Sequence, residues 1–190
     1  MKLINNATTG DINAASLTTV TGVISDMVDT TGSSTSHFLH SSVFSNFLNG
    51  AMGSAAKLES DLTFTPTATT QTASNINSLN TAVTNISLSN VQTISSSSLS
   101  DISTLGAAIT AGTIAATSTI ATINVSGDTI DFTTLDSEIN RFDGFRIDPA
   151  IATFNLADTT TVTLDNQSEV TAFISDVTSD PALLVVSGAS

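Results

Sequence analysis

The residues best suited to chemistry in this sequence are carboxylates, and they are unevenly placed. The chain of 190 residues carries 17 acidic side chains, and eleven of them lie from Asp128 onward. Calcium is bound by about six to eight oxygens from carboxylates, amides and carbonyls. Asp128 with Asp131, and Asp143 with Asp148, come from expected turns and helix starts, and they are the predicted calcium ligands. The alternative interpretation is that these side chains cap helices.

Other chemistry-bearing residues give weaker patterns. His37 and His40 are spaced for two imidazoles on one helix face, but no carboxylate lies close in sequence, so a surface pair is favoured over a metal site. A glycan-active enzyme would use two carboxylates, such as Asp136 and Glu138. The chain has no Trp or Tyr to stack on sugars, and it contains no nucleophile elbow, phosphate loop or zinc-protease motif. We therefore predict a protein that is not an enzyme.

Composition excludes several classes of protein. The net charge is -13, which opposes binding to nucleic acids, and the absence of cysteine excludes disulfide scaffolds and thiolate metal sites. No apolar run is long enough to span a membrane. Charged residues are only 11% of the chain, against about 25% in an ordinary soluble domain, whereas serine and threonine number 61. Hydroxyl surfaces lose little side-chain entropy on packing, so this composition favours lateral packing in an extracellular setting.

Helix-period and strand-period segments alternate along the chain. Apolar stripes at helical spacing predict helices at Ile76–Ile86, with Ser74 as N-cap, and at Ile102–Ile109, Leu135–Phe142 and Val170–Val177, as well as a longer one at Val43–Leu58. Strands are predicted at Leu62–Thr70, Ile114–Val125, Ala152–Leu156, Val162–Leu164 and Ala182–Ser187, and Ser95–Ser98 is predicted to be a turn or loop. Pro66 indicates an edge strand or a strand end.

A degenerate internal repeat links these elements. LINNATTGDI at Leu3–Ile12 and LGAAITAGTI at Leu105–Ile114 share their apolar ends and a glycine seven residues after the leucine. The pattern predicts a helix end, a glycine turn and a strand entering with isoleucine, in units of roughly 40–50 residues. The fold class predicted is mixed α/β, with degenerate helix–strand repeats in a solenoid-like or layered arrangement. A β-sandwich decorated with short helices is the alternative.

Two segments are expected along the chain. Residues 1–60 would form an N-terminal repeat plus a helical insertion, and residues 61–190 would form helix–strand repeats with a C-terminal strand. A single domain is the alternative division, because the length suits either one domain or two small ones.

The string LINNATTGDI followed by TTVTGVISDMV resembles repeats in large secreted surface proteins of marine cyanobacteria and related bacteria. The similarity is close over Leu3–Val28 and loose over Ile102–Val177, whereas residues 35–75 depart from it. The resemblance implies an S-layer-like, adhesive or motility-associated role outside the cell, secretion without an N-terminal signal peptide, bound calcium and no catalytic residues. The departure in size, 190 residues against very long chains, implies that this chain would have to polymerise.

The sequence therefore predicts an extracellular structural protein that assembles head to tail with itself into a filament or S-layer-like array, with calcium as the stabilising ion. The N-terminus has no apolar run for a signal peptide, and DPALLVVSGAS at the C-terminus resembles signals of type I secretion. An adhesin or a virion or phage fibre module, with a cell-surface glycan as a further partner, is the alternative. A glycan-active enzyme is a remote third hypothesis.

Overall fold

The computed structural model describes residues 18–27, 62–115, 119–127, 129–145, 153–156, 160–179 and 182–186. These residues form a mixed α/β fold of short parallel sheets and five helices, in which no sheet closes into a barrel. The predicted mixed α/β class is confirmed.

The described strands are short and fall into three sheets. In chain order they are β1 Thr19–Gly22, β2 Thr63–Pro66, β3 Thr70–Gln71, β4 Ile86–Ser87, β5 Thr93–Ser98, β6 Ile114–Ala115, β7 Thr122–Ser126, β8 Thr129–Asp131, β9 Thr153–Leu156, β10 Thr161–Thr163 and β11 Leu184–Val186. Sheet A has the order β1-β2-β4-β6, sheet B has the order β11-β9-β7-β5-β3, and sheet C pairs β10 with β8.

All strand pairs among the described residues are parallel, which bears on the β-sandwich alternative. A β-sandwich is built of antiparallel sheets, so the sandwich alternative does not fit the described strands. Parallel strands need a crossover connection, which helices provide here between successive strands of sheet B. Beyond residue 62, paired residues are 22 (Phe64 with Ile86) to 32 (Thr129 with Thr161) positions apart, closer than the predicted 40–50.

The helices are α1 Ile24–Met27, α2 Ala73–Ala82, α3 Leu99–Thr110, α4 Phe132–Gly144 and α5 Gln167–Thr178. Consecutive helices are neighbours in space, from α1 beside α2 to α4 beside α5. The last four begin in the same way, since a polar side chain before the helix accepts a hydrogen bond from the backbone N–H three residues later. These N-caps are Thr72, Ser98, Asp131 and Asn166.

Several local predictions are confirmed and others are wrong. Helix α3 ends before Gly112, whose φ of 78° lies in the left-handed region, and β6 then begins at Ile114 as predicted. The N-cap of α2 is Thr72 rather than Ser74, and that helix ends at Ala82, so that Ile86 belongs to β4. Pro66 is the last residue of β2, a strand end as expected, although β2 has neighbours on both sides.

The serine run at 95–98 is part of β5 and not a loop. Ser97 is buried, and its Oγ accepts from the backbone N–H of Ala73 at 2.8 Å and donates to the carbonyl of Ser95 at 2.9 Å. Ser96 has a φ of 40°, and the register of β5 against β7 shifts at this point. Hydroxyls that bond to nearby backbone thus allow a polar run to form a strand, although such runs usually indicate turns. The predicted strand at 114–125 is divided between β6 and β7.

The buried apolar side chains of strands and helices form a single cluster. Four phenylalanines belong to it: Phe64, Phe132, Phe142 and Phe154. Ile24 and Met27 belong to the same cluster, and β1 pairs with β2, so the described part of residues 1–60 shares a sheet and a core with the part that follows. The predicted helix at 43–58 lies outside the described residues. Among the helices that the structure describes, none is both long and apolar enough to cross a membrane.

Candidate functional site

The predicted calcium ligands fall at the two ends of helix α4. Asp131 is its N-cap, and Oδ2 accepts from the backbone N–H of Thr134 at 2.9 Å and from its hydroxyl at 2.7 Å. These hydrogen bonds, with the hydroxyl the larger cause, lower the pKa of Asp131. Asp143 lies twelve residues further on, about 18 Å along a helix that rises 1.5 Å per residue, so it cannot share an ion with Asp131.

The other two predicted ligands, Asp128 and Asp148, lie outside the described residues, as do His37 and His40. Within the described ranges no three carboxylates or histidines meet in one group. Capping therefore accounts for the position of Asp131, and the calcium sites remain predictions.

The two carboxylates considered for glycan hydrolysis are directed to different neighbours. Glu138 is buried against α3, where its Oε1 accepts from the hydroxyl of Ser103 at 2.9 Å and its Oε2 lies 3.1 Å from Nη1 of Arg141. Nη1 of Arg141 also donates to the carbonyl of Ser103 at 3.2 Å. Arg141 thus pairs with a carboxylate of its own helix. Asp136 instead lies near Asp176 of α5, because residues two apart on a helix do not share a face.

Glu138 takes a position that is apolar in the other long helices. Counted from each N-cap, the seventh residue is Leu79, Leu105 and Phe173 in α2, α3 and α5. A buried carboxylate held by a serine and an arginine joins α3 to α4. The contacts of Glu138 thus link the two helices to each other.

Asp176 is a second buried carboxylate, on the inner side of α5. It is 8% exposed, and its Oδ2 has no hydrogen-bond partner among the described residues. Burial, and to a lesser extent the nearby charge of Asp136, raise the pKa of Asp176.

A cleft of about 480 Å³ opens between the starts of α3 and α4. Asp131 adds a carboxylate to its lining, and six of its lining residues carry hydroxyl groups: Ser98, Ser100, Ser103, Ser126, Thr129 and Thr134. Neither a basic side chain nor an aromatic ring is among the lining residues, so the cleft lacks the groups that hold phosphates or stack on sugars.

The feature that distinguishes α5 is its exposed apolar side. Val170, four residues after the N-cap, is 41% exposed, whereas the matching Ile76, Ile102 and Leu135 of the three preceding helices are fully buried. Ile174, one turn later, is 54% exposed. We call Val170 and Ile174 the α5 apolar pair. Sequence periodicity places both residues on the stripe of α5, but it cannot show that the stripe is only partly covered.

Among the described elements, those that contact α5 and β11 lie on one side of them only. Phe173 packs edge-on against Phe132 of α4, with ring centroids 5.6 Å apart. Strand β11, which follows α5, pairs with β9 and has no second partner among the described strands. Helix layer and sheet B thus end together on the same side of the described fold.

No family model matches the sequence, and neither a curated protein nor a solved structure is significantly similar to this chain.

Proposed function

We propose that this chain is an extracellular structural protein that assembles head to tail with copies of itself into a filament or S-layer-like array. The observation that carries the proposal is the α5 apolar pair. The positions that match Val170 in α2, α3 and α4 are buried, whereas Val170 and Ile174 of α5 are open to solvent. A second copy that stacks on α5 and β11 would bury these side chains in the manner of the interior helices.

We also propose that the strand–helix elements form a solenoid. Three features support this arrangement: the strands of sheets A and B are parallel, consecutive helices are neighbours, and four helices share one mode of N-capping. In a solenoid each unit contacts only its neighbours, so an outermost unit leaves an apolar side uncovered. A contact between the two different ends of such a molecule does not close on itself, and it therefore generates a filament.

The free energies of burial and association indicate what a junction between copies requires. Val170 and Ile174 are already about half-buried, so covering the rest of both side chains contributes about 1.5–3 kcal/mol, while association costs at least about 4 kcal/mol in lost freedom of motion. The α5 apolar pair alone is therefore not sufficient. Hydrogen bonds at the open edge of sheet B, where β11 has one described partner, supply a second contribution. We expect assembly that depends strongly on protein concentration.

Calcium is proposed as the ion that supports assembly. Copies that each carry a net charge of -13 repel one another, and divalent ions that bridge carboxylates relieve this repulsion more effectively than monovalent salt. The described part of α4 contributes Asp131 and Asp143 to the predicted ligand set, and Asp128 and Asp148 would complete the two pairs.

The test is sedimentation velocity over a range of protein concentrations at millimolar calcium, with negative-stain microscopy of the largest species. The variant Val170→Ser with Ile174→Ser should shift the distribution to the monomer. Its control is Ala107→Ser with Ala111→Ser, which changes exposed apolar positions at the same spacing on α3. A wild-type chain that is monomeric at every concentration, or a double variant that assembles as the wild type does, would overturn the proposal.

A further inference from the structure

Sheet B carries a column of threonines on the face opposite the core. Thr70 pairs with Thr93, Thr93 with Thr122, and Thr122 with Thr153, so the four side chains stand in register on four adjacent parallel strands. The residue that follows each of the last three is Ile94, Ile123 or Phe154, which is buried. Because side chains alternate between the faces of a strand, the threonines point away from the core.

A second column of small polar side chains runs beside the first. Two residues after the threonines of β7 and β9 come Asn124 and Asn155. Asn124 pairs with Asn155, and Nδ2 of Asn155 donates to Oδ1 of Asn124 at 2.9 Å. We call these two columns together the hydroxyl ladder. The ladder contains no charged residue, in a chain whose net charge is -13.

The spacing of the ladder can be compared with that of oxygen atoms in ice. Hydrogen bonds between water oxygens are about 2.75 Å long, and in a tetrahedral lattice this places second-neighbour oxygens about 4.5 Å apart. Adjacent strands of a sheet are about 4.8 Å apart. The difference of about 0.3 Å per strand accumulates to about 1 Å across four strands, which rotation of the side chains can absorb.

The spacing of the ladder along the strands is also comparable with a repeat of the ice lattice. Residues two apart on a parallel strand are about 6.6 Å apart, and the repeat of the tetrahedral lattice along its hexagonal axis is about 7.3 Å. A threonine offers such a lattice both a hydroxyl that bonds to water and a methyl group that water must surround. The ladder's lack of charge also matters, because a charged group orients water around itself rather than into a lattice.

We propose that the hydroxyl ladder binds ice. The regular spacing in two directions favours an ordered water lattice over a protein partner, whose surface would not need to match a repeat. The inference does not depend on the proposed assembly, since all residues of the ladder belong to one chain.

The test is thermal hysteresis, the gap between the melting and freezing points of an ice crystal in the protein solution, measured on the full chain together with inhibition of ice recrystallisation. Thr122→Lys places a charged side chain at an interior position of the ladder and should abolish most of the activity. Thr70→Lys, on an exposed edge strand where it threatens the fold least, is the second ladder variant and should weaken it. The control is Thr104→Lys on the exposed side of α3, which should leave the activity unchanged. Circular dichroism establishes that each variant is folded.

Three results would overturn the inference. The first is a wild-type chain without thermal hysteresis, and the second is hysteresis that the folded ladder variants retain in full. In the third, the wild-type chain has no effect on ice, and the ladder variants sediment differently from the wild type. That last result would identify the ladder as a lateral contact between copies.

Discussion

Gly106 lies where helix α3 passes closest to the ion pair of α4. A Cβ at this position would stand 2.9 Å from Cδ of Arg141 and 3.0 Å from Oε2 of Glu138. Glycine to alanine inside a helix ordinarily stabilises by about 0.5–1 kcal/mol. Here we expect the opposite sign, because the added methyl group displaces side chains that Ser103 and Glu138 hold in place, at a cost of about 1–3 kcal/mol.

The measurement is urea unfolding of Gly106→Ala beside Gly144→Ala. Gly144 closes α4 with no atom within 4 Å of the added Cβ, so its alanine variant should be neutral or slightly stabilised. Equal stabilisation of both variants would show that the contact between α3 and α4 is not constrained.

The raised pKa of Asp176 makes the stability of the protein depend on pH, and stability should fall as the pH rises. Burial and the charge of Asp136 raise the pKa of Asp176 above its ordinary value of 3.8, so the folded protein holds this proton more tightly than the unfolded chain does. The contribution of this group to stability is therefore fully present below pH 3.8, and it is lost as the pH rises through the raised pKa.

We expect Asp176→Asn to reduce the loss of stability between pH 4 and neutral pH, measured as the change in Tm across that range. Asp136→Asn should reduce it less, since burial is the larger cause of the shift. A steeper loss of Tm in Asp176→Asn than in the wild type would contradict this assignment.

Within each helix, the N-cap is the position with the strictest requirement for a particular side chain. Oγ of Ser98 accepts from the backbone N–H of Asp101 at 3.1 Å, and its hydroxyl donates to Oδ2 of Asp101 at 2.8 Å. Ser98→Ala removes both bonds and should destabilise the protein by about 1 kcal/mol. In thermal unfolding this corresponds to a Tm lower by roughly 2–4 °C for a chain of this size.

The matched control for the cap is Ser100→Ala, which removes an exposed hydroxyl two residues further along the same helix. It should change Tm little. If both variants lower Tm by the same amount, the loss reflects general perturbation of the first turn and not the cap.

The sequence predicted the helices better than the strands. Apolar residues at helical spacing identified α2, α3, α4 and α5, because each carries one apolar stripe, which α2, α3 and α4 bury. Strands as short as β4 and β6 have two residues each, too few to show alternation. The serine run of β5 could not be predicted as a strand, since the bonds that stabilise it come from Ala73 and from a neighbouring strand.

Long-range placement accounts for what the sequence missed at the candidate sites. Glu138 is visible in the sequence as a charged residue, but its burial depends on Ser103 and Gly106, which lie more than thirty residues earlier. The hydroxyl ladder did leave a local signal, the recurring T-I-S, T-I-N and T-F-N at Thr93, Thr122 and Thr153. Only the register of the strands turns that signal into a column.

At the scale of the whole molecule, charge predicts the response to calcium. Ions that bind the folded state at a hundredfold excess over Kd contribute about 2.7 kcal/mol per site. We therefore expect a chelator to lower Tm, or to dissolve assemblies, more than a change in sodium chloride does at matched ionic strength. Equal Tm values in chelator and in millimolar calcium would exclude calcium as the stabilising ion.

Intermolecular cross-linking tests head-to-tail stacking directly. The chain contains no cysteine of its own, so that introduced cysteines are its only thiols. One preparation carries Val185→Cys on β11 and the other carries Thr70→Cys on β3, at opposite edges of sheet B. A disulfide requires Cα atoms about 4.4–6.8 Å apart, and adjacent strands meet this distance. If copies stack head to tail, a short thiol cross-linker should give mainly mixed dimers when the two preparations are combined at millimolar calcium. Homodimers of the Val185→Cys chain alone, or monomers throughout, would contradict it.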